Sequence, residues 1–307
     1  AASRRVAATG AVSPFHPALL LLYAGAAFLL LWNLGSGSLE NSDGPLYATY
    51  ARQQLASGNW LDMEWFGHAE ILKPPGFIWL LDLSVLAAGD GELGFRLPAA
   101  TSSLLLVLVV TACARRLTDR HGLACALVAG GALLASGLLY YNARKVQAEL
   151  PLALATTLSL YALLRVKDSP RFLWLWGAAL GAGALLKGVM VLPVLGAGLV
   201  VLWLLQRRAL LSRHGALGLG LFAALAVPWH VIQAARSPGF LGHYFATSLG
   251  GRLVRSLPGS GGDDPLRYVR ALWAFDHLLA PLLLGAGVVT AWLALRAART
   301  HQRERAE

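Results

Sequence analysis

Long apolar runs separated by short polar breaks dominate the chain. They fall at 17–35, 75–88, 97–114, 121–140, 150–164, 171–186, 189–206, 214–233 and 271–296. Several approach the roughly 20 residues of helix that a bilayer core requires. The run 75–88 differs: it opens on Lys73-Pro74-Pro75, contains Asp82 and offers about 14 apolar-biased positions, the length of a re-entrant or interfacial segment. Basic clusters punctuate the rest. Arg4 and Arg5 precede the first run; Arg115, Arg116 and Arg120 follow the third; Arg165, Lys167 and Arg171 follow the fifth; Arg207, Arg208 and Arg213 follow the seventh; Arg296, Arg299, Arg303 and Arg305 follow the last. Cytoplasmic loops carry such clusters. If every run crosses, the clusters alternate sides from the third run on. If 75–88 stays in the membrane plane, all of them share one side. The pattern therefore predicts an all-α integral membrane bundle of about eight transmembrane helices, one domain over 1–307, with both termini inside.

This parity places 36–96, the turn 141–149, the tight turn near Lys187 and the loop 234–270 outside. Trp60, Trp65, Tyr140, Tyr141, Trp229 and Trp273 fall near that boundary, where an aromatic belt is expected. Within the first outer loop, Asn41-Ser42-Asp43 before Gly44-Pro45 reads as a helix start, and Gly58 as its stop. Tyr47, Tyr50, Ala51 and Leu55 recur at helical spacing opposite Arg52 and Gln53, predicting a short amphipathic helix lying in the membrane surface. Pro258 to Gly262 reads as a flexible tract.

Composition agrees. The chain is 56% hydrophobic and 14% charged, against about 25% charged in soluble domains. Its net charge of +10 resides at helix ends rather than on one face, so a nucleic-acid partner is not expected. Cys113 and Cys125 lie at no metal-ligand spacing and read as small buried hydrophobes.

The candidate chemistry lies on the outer side. Asp43 is either a helix N-cap or a general base for an acceptor, and one residue can be both. Glu149 heads a predicted helix at membrane depth, where an ionisable group is costly and a functional candidate, although Arg144 is close enough in sequence for a local pair. Lys73, held by Pro74-Pro75, either snorkels or meets a phosphate, and Lys187 in its tight turn is similar. Arg236, Arg252, Arg255, Arg267 and Arg270 make the second outer loop basic, either because long loops escape the orientation rule or because they face an anion such as a lipid phosphate. His68, His230 and His243 share no diagnostic spacing, and core or interfacial placement is expected of them. Acids and cations on one rim suit a lipid-linked anionic donor, with cations for the leaving phosphate. A transporter or flippase would instead carry charge mid-helix; a non-catalytic assembly protein is the third reading.

Ser42-Asp43-Gly-Pro-Leu-Tyr47-Ala, Ala51-Arg52, Leu55-Ala-Ser-Gly58-Asn-Trp60, Lys73-Pro74-Pro75 and Phe95-Arg96-Leu97-Pro98 follow in the order seen in the protein O-mannosyltransferase and lipid A aminoarabinose transferase superfamily. Arg144 with an acid five residues on, Leu186-Lys187-Gly188 and Pro228-Trp229 extend the resemblance over roughly 30–275. It implies a GT-C bundle with in-plane helices over an extracytoplasmic site, and an inverting transfer from a polyprenyl-phosphate sugar to a lipid, protein or glycan acceptor. It implies Asp43 and Glu149 as the acids, and Lys73, Arg144, Lys187 and Arg252 as donor-phosphate ligands. Glu70, Tyr47, Arg52 and His68 are secondary candidates. The chain differs from the family pattern in Gly44 after the aspartate, Leu72 before the lysine and Glu149 where aspartate is usual. No cofactor is required by the resemblance, though two carboxylates can hold a divalent cation. Many relatives continue with further helices and an outer domain, so a C-terminally truncated member is expected, in a bacterial inner membrane.

Overall fold

A computed structural model describes residues 15–39, 43–65, 68–70, 73–117, 121–250 and 270. The expected crossing at 271–296, Trp273, Arg252 and the Pro258–Gly262 tract lie outside the described residues. The helices are α1 (Pro17–Leu31), α2 (Asp43–Ser57), α3 (Gly76–Ala88), α4 (Glu92–Arg116), α5 (Gly122–Ala135), α6 (Gly137–Ala143), α7 (Glu149–Arg165), α8 (Phe172–Lys187), α9 (Leu192–Leu210), α10 (Arg213–Arg236) and α11 (Phe240–Phe245); all but α2 and α11 follow the apolar runs. The all-α expectation is corrected in the first loop. There β1 (Met63–Trp65) and β2 (His68–Glu70) form an antiparallel hairpin in which Trp65 faces His68. Its anchor is Met63, 1% exposed in the core between α2 and α3.

Among the described residues, α4, the stretch Phe172–Leu210 and α10 are long and apolar enough to cross a membrane. The pair α5–α6, bent by 63° at Ser136, makes a fourth if taken as one broken span. Phe172–Leu210 has 39 residues; a straight helix of that length would be about 58 Å, roughly twice a bilayer core. It is two arms. Gly188, at φ 56° and ψ −123°, ends α8. Gly198 then packs on Trp176, where a Cβ would stand 2.9 Å from the indole Nε1, so α9 runs back along α8. The tight turn expected near Lys187 is present. On the other face of α8, a Cβ on Gly177 would collide with the Gly218 carbonyl oxygen of α10. Glycines of this kind let helix backbones touch, which drives association where lipid offers no hydrophobic gain.

Four apolar clusters lie among the described residues; the smallest joins Val189 to Trp229, Phe240 and Tyr244, and the other three tie the longer helices together. One joins α2, α3 and the start of α4 through Tyr50, Ala51, Ile78, Leu81 and Phe95. One joins α7 to α10 around Trp176. The third joins α1, α4, α6 and α7 through Leu30, Val107, Leu139 and Leu150. The amphipathic pattern of α2 is realised, with Tyr50 and Ala51 buried and Arg52 and Gln53 exposed. Gln54, which follows Tyr47, Tyr50 and Ala51 on the same helical face, is also buried, and so is Asp82 of α3; none of their side-chain oxygens and nitrogens has a hydrogen-bond partner among the described residues. Trp229 is corrected as a belt residue. At 2% exposure it sits edge-on to His230, Phe240 and Tyr244. Tyr140, Tyr141 and Trp60 are exposed, as a belt requires. Cys113 is buried, Cys125 is half-buried, and both are free thiols.

The two ends of α7 carry different chemistry. At one end Asp168 accepts from Arg116 and, at 2.6 Å, from Arg165, which brings two of the basic clusters together. At the other end stands Glu149, about 25 Å away along a 17-residue helix.

Candidate active site

At the Glu149 end a cavity of about 220 Å³ gathers side chains from five parts of the chain. Asp43 and Tyr47 come from α2, Lys73 from the segment before α3, Glu149 from the start of α7, Lys187 from the end of α8, and Tyr244 from α11. Local sequence explains each placement. Asp43 is the first residue of α2, and the helix dipole favours an acid there. Pro74 and Pro75 block any helix before Gly76, so Lys73 is held at the mouth of α3 rather than on its flank. Gly188 has a left-handed φ, and a Cβ there would collide with the Tyr244 hydroxyl, so the turn presents Lys187 to the cavity with α11 close behind.

The two lysines differ in their partners. Lys187 donates to Glu149 in an ion pair with side chains 30% and 45% exposed. Lys73 has no carboxylate or hydrogen-bond partner among the described residues. Its Nζ lies 4.9 Å from the centroid of the Tyr47 ring, and that ring meets Phe77 edge-on at 5.1 Å. Asp43 likewise has no hydrogen-bond or ion-pair partner among the described residues. The cavity therefore offers one unpaired acid, one unpaired ammonium and one neutralised pair. The local Arg144–Glu149 pair does not form: Glu149 meets Lys187, and Arg144 reaches the other way.

Arg144 lines a second cavity, of about 280 Å³, on the far side of the start of α2. Its guanidinium donates to the carbonyl oxygens of Trp32, at 2.7 and 3.2 Å, and Asn33, at 3.2 Å. Arg52 also lies away from the acids, paired with Asp90 at 2.8 Å and stacked over Phe95. His68 and Glu70 fall on β2, and their side chains are outside the described residues. Among the described residues no three His, Cys, Asp or Glu side chains converge as a metal site.

The sequence reading missed three supports. Arg96 of α4 donates to the carbonyl oxygens of Leu34, Ser36, Gly37 and Ser38, at 2.9, 2.5, 3.0 and 2.6 Å. With Arg144 it fixes the connector that delivers α2, and hence Asp43. Arg96 was visible only as part of a motif. Tyr244, the second, carried no sequence signal beyond its aromatic ring. Asp62, the third, accepts from Asn59, Gln233 and Arg236, tying the segment between α2 and β1 to the end of α10. Burial raises the Asp62 carboxyl, but the Asn59 and Gln233 hydrogen bonds and the Arg236 charge outweigh it and hold it below its ordinary value.

Comparison with known proteins identifies relatives of this chain. Residues 72–232 match the family described as dolichyl-phosphate-mannose-protein mannosyltransferase. The undecaprenyl phosphate-alpha-4-amino-4-deoxy-L-arabinose arabinosyl transferase of Pseudomonas paraeruginosa is 31% identical over 232 residues, which are 74% of this chain and 42% of that protein. A Pseudomonas fluorescens relative of the same name is 29% identical across 91% of this chain and 50% of its own length. Among solved structures, ArnT from Cupriavidus metallidurans bound to undecaprenyl phosphate superposes with a TM-score of 0.65 at 27% identity, covering 76% of this chain and 44% of that one. Its apo form gives 0.64 at 28% identity. The chain thus spans half or less of the length of these relatives.

Proposed function

The chain belongs to the dolichyl-phosphate-mannose-protein mannosyltransferase family, and from that premise we propose that it is an inverting glycosyltransferase of GT-C type using a polyprenyl-phosphate sugar. The relatives' names favour undecaprenyl phosphate as the carrier and a pentose as the sugar, with a lipid, protein or glycan as acceptor. One observation carries the reading: Asp43 and Lys73, a carboxylate and an ammonium with no hydrogen-bond or ion-pair partner among the described residues, share a cavity at the end of α7 opposite Asp168 and the basic residues it gathers. By the parity of those loops the bundle makes eight crossings in a bacterial inner membrane, and the cavity opens to the periplasm.

The chemistry follows from the partners. An acceptor oxygen or nitrogen attacks the anomeric carbon while the bond from that carbon to the phosphate oxygen breaks, its electron pair staying on the phosphate. Lys73 stabilises the charge that develops there. Asp43 takes the acceptor's proton as general base. Glu149 is neutralised by Lys187, so it holds the far wall and orients that lysine rather than serving as a second base. Attack opposite the leaving phosphate inverts the anomeric centre.

The test is Asp43→Asn, which keeps the shape and removes the base. Transfer from an undecaprenyl-phosphate sugar should fall about 100- to 10,000-fold, while undecaprenyl phosphate still binds. Transfer at the parent rate would exclude Asp43 as the base.

A further inference from the structure

The larger cavity is not needed by the transfer just described, and its chemistry is one-sided. It is lined by the connector Ser36–Leu39, by Gly44, and by Arg96, Tyr141, Arg144 and Lys145. Three of these side chains are cations. No acid lines it among the described residues, and none of the three cations has a carboxylate partner. Arg96 is 7% exposed, and its Nε has no hydrogen-bond partner. Lys145 spends its ammonium only on the Tyr141 ring, 3.8 Å from the centroid. Three like charges held together at reduced dielectric repel one another, and a bound anion relieves that cost. A guanidinium beside an ammonium suits the oxygens of a phosphate.

Position narrows the source. Trp32, Phe28, Tyr140 and Tyr141 surround this end of α1 and α6 with exposed rings, the pattern that marks a membrane–water interface. A phosphate reaching Lys145 at that level arrives on a lipid. We infer that this cavity is a second phosphate site, separate from the Lys73 cavity, which takes the headgroup phosphate of an anionic membrane lipid. Occupancy would lock the Trp32–Ser38 connector, whose carbonyls Arg96 and Arg144 already hold, and so fix the start of α2 beside Asp43.

Lysine reactivity decides the matter separately from catalysis. The full chain is placed in phosphatidylcholine nanodiscs with or without phosphatidic acid, and acylation of single lysines is followed by peptide mass spectrometry. Lys167, exposed at the opposite end, reports the general effect of surface charge. Phosphatidic acid should slow Lys145 acylation about tenfold more than Lys167, the scale of one charged hydrogen bond. The protection should persist in Lys73→Ala, which leaves the other cavity with only the Lys187 ammonium that Glu149 neutralises. Protection by inorganic phosphate in plain phosphatidylcholine, with none from phosphatidic acid, would make this a soluble-phosphate site and overturn the lipid assignment. Equal slowing of Lys145 and Lys167, or loss of the protection in Lys73→Ala, would overturn the proposal.

Discussion

On the Asp43 side of α2, acids and cations share one cavity; on the Gly44 side, three cations share another with no acid among its lining residues. The residue types overlap, yet the first arrangement can move a proton and the second can only hold charge. What separates them is pairing. Lys187 is spent on Glu149, Arg144 on two carbonyl oxygens and Arg96 on four; among the described residues this leaves Asp43 and Lys73 in reserve in the first cavity and the Lys145 ammonium in the second, so only the first holds an acid beside its available cation. A list of charged residues on one rim does not predict this division, because it depends on which partner each side chain reaches.

The comparison breaks most directly at the connector between the cavities. Arg96→Leu removes the donors to four carbonyl oxygens in a buried site, a loss of about 3 kcal/mol. Detergent-titrated unfolding should show that loss. In whatever fraction stays folded, kcat should fall with donor affinity nearly unchanged, since Asp43 moves and Lys73 does not. Arg96→Lys should rescue little, because an ammonium lacks the planar fork. Unchanged stability would mean the connector is held by something other than Arg96.

Next in size is the contrast between the two lysines of the reactive cavity. Lys73→Met removes an unpaired cation, so undecaprenyl phosphate binding should weaken about 10- to 100-fold, the worth of a charged hydrogen bond. Lys187→Met removes a cation already neutralised by Glu149 and should weaken it about threefold or less, since a half-exposed pair contributes roughly 0–1 kcal/mol. Calorimetry on the two variants ranks them. Equal effects would mean that the ion pair opens when the donor binds.

Much of this was legible in the chain. Helix positions followed from apolar runs, the start and stop of α2 from Asp43-Gly44-Pro45 and Gly58, and the hairpin at Lys187 from the glycine behind it. Asp43, Lys73, Glu149 and Lys187 converge in one cavity, while Arg144, named with them as a phosphate ligand, lines the other. Pairing was not legible. Arg144 and Glu149 are close in sequence, but a turn residue and the first residue of a helix point apart, and each found a partner from a distant element. Asp82 read as evidence that its segment stays out of the bilayer interior; it lies fully buried among apolar side chains, and periodicity does not reveal which polar group will be enclosed. The hairpin of β1 and β2 was invisible because three-residue strands carry almost no periodic signal.

The smallest effect concerns how firmly the reactive cavity is roofed. Asp62 bonds to Gln233 at 3.1 Å and to Arg236 at 2.8 Å, so the segment between α2 and β1 is pinned to the end of the helix that leads into α11 and Tyr244. Because the folded carboxyl is held below its ordinary 3.8, its stabilising contribution is complete above that value and drains away as pH falls through the depressed folded value. Asp62→Asn keeps a side-chain acceptor for Gln233 but loses the charge that meets Arg236. At about pH 7 it should cost roughly 1 kcal/mol, in line with a partly exposed pair. As pH falls from 3.8 through the depressed folded value, the parent protein should lose the same stability, and the two melting curves should draw together. If the gap between them stays constant across that range, the latch owes its strength to hydrogen-bond geometry rather than to charge. The loop would then be held as firmly by an amide as by an acid.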